Sequence, residues 1–261
     1  MTAPRLFALP PGADYPRALV AGLLERMAGR PPEALARVQV FANTARLQER
    51  LRQEFDRQGP CLLPRLRLID SFGRSPMPGQ PLPEPRLRRR MELLRLVRAL
   101  VASDAEFAPG TPVFGLADSL AALMVEMQDE GVTPEALGAD LTVDQARHWE
   151  RSLRFIRIVA PYVAPQSAPD ARGRQRRVVE ALAAEWQSRP PPGPVVIAGS
   201  TGSRGPTSLL MRAVAALPEG WVVLPGFDFD LPQEAWDAID APPTPQEDHP
   251  QYRFRALMTS L

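Results

Sequence analysis

Residues 194–230 read PVVIAGSTGSRGPTSLLMRAVAALPEGWVVLPGFDFD. Val195, Val196 and Ile197 form a β-branched run, which suits a strand. The run ends in a glycine-rich turn at Gly199–Gly205. Leu209, Leu210, Val214 and Leu217 then recur at helical spacing. Trp221 to Leu224 is a second strand. Strand, turn, helix and strand make one βαβ unit, so this stretch builds a parallel sheet. The turn after a strand's carboxyl end in such a sheet faces the ligand crevice.

Three earlier strands extend that sheet. Arg5 to Leu9 is the first, followed by the turn Pro10-Pro11-Gly12. The helix after it carries Tyr15, Leu19, Leu23 and Met27, with Pro16 near its start where a missing N–H costs little. Arg37 to Ala42 is the second, with Val38 and Val40 alternating. Asn43 or Thr44 caps the next helix, whose stripe is Leu47, Leu51 and Phe55. Arg65 to Ile69 is the third, closed by Asp70-Ser71-Phe72-Gly73.

The middle of the chain has no strand pattern. Residues 74–85 hold five prolines and read as an exposed linker. A helix from about Arg86 to Val101 places Leu87, Met91, Leu94, Val97 and Val101 inside. A second follows Thr111-Pro112 and buries Phe114, Leu120, Met124 and Met127. Thr133-Pro134 opens a short third. Thr142-x-x-Gln145 is a capping box for a fourth, with Trp149, Leu153, Ile156 and Val159. Asp170 caps a fifth, with Val178, Leu182 and Trp186, and the proline run at 190–194 returns the chain to the sheet. The expected domains are 1–73 and 191–261, two parts of one α/β domain, with 74–190 an all-helical insert. Beyond Asp230 come a short helix from Pro232, a loop rich in proline and acid, and a helix opening at Tyr252. The pattern is expected to continue past Leu261 into a larger subunit.

Composition narrows the chemistry. All 31 basic residues are arginine; against 30 acids the net charge is +1, so no global field draws the chain onto nucleic acid. Cys61 is the single cysteine, which excludes an internal disulfide. With only His148 and His249 beside it, a Cys/His zinc site is not expected. There is no signal-peptide pattern, and a cytoplasmic protein is expected.

The glycine turn is compatible with three chemistries. Gly199-x-Thr201-Gly202-x-x-Gly205 is similar to the dinucleotide turn of short-chain reductases, with Asp228 or Asp230 placed for a ribose hydroxyl. That reading would make the chain an NAD(P)-binding protein. Ala198-Gly199-Ser200-Thr201-Gly202 approximates a nucleophile elbow, with Asp228 and His249 following in hydrolase order. The third reading takes in the whole chain. In UvrD-like helicases a P-loop strand, a strand with a DNA-contacting turn and a strand ending near Ser-Phe precede a helical insert. The strand bearing the Mg²⁺-binding acids then follows. Here Asn43-Thr44-Ala45 and Ile69-Asp70-Ser71-Phe72-Gly73 stand at the DNA-contacting turns. Residues 195–199 stand at the metal acids and 221–228 at the sensor strand. The expected fold class is therefore α/β, a parallel sheet of P-loop NTPase or UvrD-like helicase type with an all-helical insert.

More closely, LFALPPGADYPRALVAGL at 6–23, LADSLAALMVEMQDEGVTPEAL at 116–137, HWERSLRFI at 148–156, residues 195–231 and EDHPQYRFRAL at 247–257 resemble the AddB family in its alphaproteobacterial form. The likeness is to the N-terminal third of these non-translocating subunits of AddAB helicase–nucleases. It implies recombinational repair of double-strand breaks, AddA as partner, and DNA with single-stranded and duplex-end character as ligand. It also implies an exonuclease domain with iron–sulfur cysteines farther along a full-length subunit, none of which lies in these residues.

A working P-loop needs backbone N–H donors, a lysine and a Ser/Thr for Mg²⁺. Pro10 and Pro11 lack the donors, Asp14 adds negative charge, and the chain has no lysine. Ala198-Gly199 replaces the metal acids. No catalytic residue, metal or cofactor is expected in this chain. The expected nucleic-acid contacts are Asn43, Thr44, Arg46, Ser71, Phe72 and Arg74, with Phe72 stacking on a base and the arginines meeting phosphates.

Overall fold

A computed structural model describes residues 5–74, 76–104, 110–133, 155–158, 160–163, 168–202, 205–241 and 245–260. The chain divides into two compact units, one of residues 1–72 with 179–261 and the other of 73–178. The second boundary falls inside a helix instead of at the proline run 190–194.

The first unit is an α/β layer. Strands β1 (Leu6–Leu9), β2 (Gln39–Ala42), β3 (Arg65–Leu68), β4 (Val195–Ala198) and β5 (Gly220–Pro225) form one sheet in the order β1-β5-β4-β2-β3. All four pairings are parallel. The five expected strands are thus present within a residue or two of their expected ends. β4 is central and buried at every position, as its unbroken apolar run requires.

Helix α1 (Tyr15–Met27) and helix α3 (Ala45–Arg57) share one face of the sheet. Their Leu19, Leu23, Leu51 and Phe55 pack with Val38, Val40, Val196 and Trp221 in one core. A short helix α2 (Glu33–Arg37), absent from the sequence reading, precedes β2. The path to β3 moves outward along the sheet, whereas β4 leads back to β5. Right-handed crossovers then put α1 and α3 on one face and the helix after β4 on the other.

The regular elements described in the second unit are helices joined by irregular segments. Helix α4 (Arg86–Ser103) pairs with α5 (Val113–Glu130), which ends at Gly131 in the left-handed region, φ 69°. Helix α6 (Ala160–Val163) is a single turn, and α7 (Ala171–Ser188) leads back into the first unit. In α4 the expected Val97 is buried and Leu94 and Val101 pack against the same core, but the first turns differ from expectation. Leu87 and Met91 are exposed; the buried stripe is Arg89, Leu93 and Val97. Arg89 explains the shift, because its guanidinium ion-pairs with Glu84 and donates to the Ala168 carbonyl at 2.6 Å. Long arginine stems can cover apolar surface while the fork finds partners. Phe114 is also exposed, contrary to expectation, while Leu120, Met124 and Met127 are core. The linker at 76–85 is exposed yet tethered, with Arg174 Nε donating to Pro81 O at 2.7 Å and Glu84 N to Pro169 O at 3.0 Å. The expected helices opening at Thr133-Pro134 and Thr142, with Trp149, Leu153 and Val159, lie outside the described residues.

Asp170 caps α7, accepting from Gly173 N at 2.8 Å. Burial holds its carboxyl above the usual range; the Gly173 and Arg172 N–H groups and Arg89 pull it down, and Asp129 pushes it up. A raised carboxyl destabilises the fold only once pH exceeds its unfolded value of about 4. Asp170→Asn keeps a good cap. It should therefore raise the melting temperature at neutral pH and lose that advantage below about pH 4, as thermal melts across pH would show.

After β4, α8 (Gly205–Ala215) packs on β4 and β5. Helices α9 (Gln233–Ala238) and α10 (Tyr252–Ser260) follow β5, where the sequence placed them.

Candidate nucleic-acid interface

All five strands run in one direction, so the turns after them line one carboxyl edge. β2 and β4 are neighbours whose chains leave in opposite directions, which makes the gap between them the topological switch point. That gap is filled. Asn43 Nδ2 donates to the Gly199 carbonyl, and Asn43 N donates to Ala198 O at 3.1 Å. Gly199 has φ +75°, and a Cβ there would lie 2.5 Å from Leu47 Cδ2.

Tyr15 closes the next gap. Its hydroxyl donates to Val223 O at 2.6 Å and accepts from Gly199 N at 2.6 Å, tying β5 to β4. Burial pushes this phenol well above its ordinary value, with the Gly199 N–H pulling the other way. The sequence reading treated Tyr15 only as a helix-stripe residue. A buried tyrosine hydroxyl needs a polar partner, and the nearby strand ends supply it. Tyr15→Phe should cost about 1–2 kcal/mol at neutral pH. Above about pH 10 the unfolded phenol ionises first, so the wild type should lose up to about 1.4 kcal/mol per pH unit from this group. The difference between wild type and variant, followed by denaturant titration at rising pH, should shrink there.

The glycine turn serves packing. A Cβ on Gly202 would meet Met211 Sδ at 2.9 Å and Leu257 at 3.0 Å, so its closeness is to α8 and α10. Ser200 is buried and its Oγ accepts from Gly202 N at 3.2 Å. Asp228 Oδ1 accepts from Asp230 N at 3.0 Å, and His249 Nδ1 accepts from Gln251 N at 3.2 Å. Each residue of the would-be hydrolase set therefore closes a local turn. The dinucleotide-binding turn of a doubly wound sheet follows the first strand of the fold; here the glycine turn follows β4, the fourth strand along the chain. Gln251, which the sequence reading passed over, is buried. It donates to Gly226 O at 3.0 Å and accepts from Asp228 N at 3.1 Å, fixing the turn after β5.

The turns after β2 and β3, which are neighbouring strands, carry Arg46 and Arg74, whereas the turns after β1 and β5 carry Asp14, Asp228 and Asp230. Thr44 caps α3, its Oγ1 accepting from Leu47 N at 3.2 Å. The hydroxyl proton stays available as a donor. Arg46 is exposed in the first turn of α3, beside N–H groups that favour an anion. A 3₁₀ turn, Ile69–Gly73, follows β3, and Ser71 Oγ donates to Leu68 O at 2.6 Å. Phe72 is buried, with its ring 4.9 Å from that of Phe41 at 32°, an arrangement that gives it a packing role beneath the turn. Arg74 is exposed at the start of the second unit. Of the six expected contacts, Asn43, Thr44, Arg46 and Arg74 are exposed, Asn43 being also bonded to the Gly199 carbonyl, while Ser71 is half-buried and Phe72 is buried.

Among the described residues no group of three or more His, Cys, Asp or Glu side chains is arranged to hold a metal ion, and no helix is long and apolar enough to cross a membrane. No protein-family model and no curated protein matches the chain.

Proposed function

We propose that this chain is a helicase-like domain, of the P-loop or UvrD-like type, that has lost its motor chemistry and guides single-stranded DNA. The observation that carries the reading is the neighbouring pair of turns after β2 and β3, which offer Thr44, Arg46 and the α3 N-terminus on one edge. Backbone amides and arginines at such an edge suit phosphates, which position a strand without reading its sequence. The turn where a nucleotide triphosphate would sit is unsuited to it. Pro10 and Pro11 have no N–H, Ala13 N is turned onto Pro10 O at 3.3 Å, and Tyr15 engages the Gly199 amide. Asp14 lies 3.8 Å from Arg50 and adds negative charge. The AddB likeness supplies the setting of the proposal: a subunit of a break-resecting complex, docked on an AddA motor, with nuclease chemistry in a separate domain.

The test is fluorescence anisotropy of labelled oligo-dT across a salt series. Weak, salt-sensitive binding is expected, with no competition from ATP and Mg²⁺. Arg46→Ala should flatten the salt slope by about one phosphate and change stability by less than about 0.5 kcal/mol. An unchanged slope, or low-micromolar ATP binding, would overturn the reading.

A further inference from the structure

The two edges of the sheet are finished differently. β3 is closed: Gln48 Nε2 donates to Leu66 O at 2.9 Å and Ser71 Oγ to Leu68 O, while Arg65 and Arg67 stand exposed along it. Capped carbonyls and edge charges are how proteins keep a strand from accepting another. β1 has neither device. Its sequence is Leu-Phe-Ala-Leu, without charge or proline. Backbone groups alternate sides along a parallel strand. Val222 N donates to Arg5 O and Phe227 N to Leu9 O, so Arg5, Phe7 and Leu9 face β5, and the N–H and C=O of Leu6 and Ala8 face outward. Among the described residues nothing bonds to those outward groups.

A cavity of about 200 Å³ lies between α1 and the sheet, running from β1 inward to Trp221 and Val223 of β5 and Val196 of β4. Phe7, Leu9, Ala18, Gly22 and Leu23 line it, and Arg26 stands with them. The Arg26 guanidinium sits 4.3 Å from the Phe7 ring centroid and 5.7 Å from that of Trp221, and has no ion pair among the described residues. An open strand edge, an apolar hollow on one face and an unneutralised guanidinium specify a ligand between them.

We infer that the outer edge of β1 accepts an extended polypeptide strand from another protein segment. Its alternate apolar side chains fill the hollow beside Ala18 and Gly22, and it carries one carboxylate facing Arg26. Main-chain hydrogen bonds to Leu6 and Ala8 give the affinity; the hollow and Arg26 give the selectivity.

The probe is a synthetic eight-residue peptide alternating valine with threonine, with one valine replaced by glutamate. Binding to the full chain is followed by fluorescence anisotropy and by amide hydrogen exchange. Protection should rise at Leu6 and Ala8. Ala8→Pro removes an outward N–H without touching the β1–β5 ladder, so it should keep the wild-type melt and weaken the peptide at least about tenfold. Arg26→Glu should weaken it about fivefold and reverse the preference towards a lysine-bearing peptide; this holds the test if Ala8→Pro melts early. Absence of binding at millimolar peptide, equal binding to both variants, or protection away from β1 would overturn the inference. A dimer of the chain itself that Ala8→Pro dissolves would also overturn it, by making a second copy the occupant.

Discussion

Gly220→Ala is expected to cost more than about 4 kcal/mol and to abolish the cooperative melt of the first unit. Gly220 opens β5, opposite Val195 of β4, and its N–H donates to Leu217 O at 3.2 Å. A Cβ at this position would lie 1.7 Å from the Val214 carbonyl oxygen and 2.9 Å from Leu217 Cβ. The first obstacle is backbone, so no rotamer change relieves it. Either β5 leaves the sheet or the end of α8 unwinds. Gly22→Ala is the control. Gly22 lies inside α1 with nothing within 4 Å of a new Cβ, and the change should stabilise by up to about 1 kcal/mol. Circular dichroism melts of both variants check the contrast. A folded Gly220→Ala protein with a wild-type midpoint would contradict the packing of α8 on β5.

Phe72→Ala is expected to cost about 3–5 kcal/mol, a fall in melting temperature on the order of 10 °C for a unit of this size. The ring is buried against Phe41, beneath the turn after β3. Its removal should leave the oligo-dT affinity of the folded fraction unchanged at temperatures well below the melt. A variant that keeps its melting temperature and loses DNA affinity would instead restore Phe72 as a stacking platform. Phe72→Leu fills most of the space and should recover most of the stability, which separates packing from an aromatic requirement.

The sheet was legible in the sequence because β2 to β5 are short β-branched or alternating runs and β1 is a short apolar run, Leu-Phe-Ala-Leu, stopped by the Pro10-Pro11-Gly12 turn. Thr44, one of two cap candidates beside Asn43, and Asp170 were readable as caps for the same local reason, and both accept an N–H of the first turn. What the sequence misjudged depends on neighbours far along the chain. The α4 stripe was assigned by hydropathy, which puts Leu87 inside and Arg89 outside. The fold reverses this because Glu84 and the Ala168 carbonyl meet the guanidinium. Phe72 follows the exposed Asp70 and half-buried Ser71, so its burial, with its ring against Phe41 of β2, is set by tertiary contacts and not by its sequence neighbours. The glycines at 199 and 202 looked like phosphate-binding glycines. They are small because Leu47, Asn43, Met211 and Leu257 crowd them, contacts that no spacing motif encodes. Tyr15 and Gln251, which close the strand ends, bond to partners 184 to 208 and 23 to 25 residues away respectively.

The central claim is that DNA runs over the turns after β2 and β3 without nucleotide chemistry. Photo-crosslinking the intact chain to single-stranded DNA carrying 4-thiothymidine, followed by mass spectrometry of the peptides, tests it most directly. The account predicts adducts within 43–46 and 69–74, lost in high salt and indifferent to ATP. Adducts confined to other segments, or adducts that appear only with ATP and Mg²⁺, would contradict it.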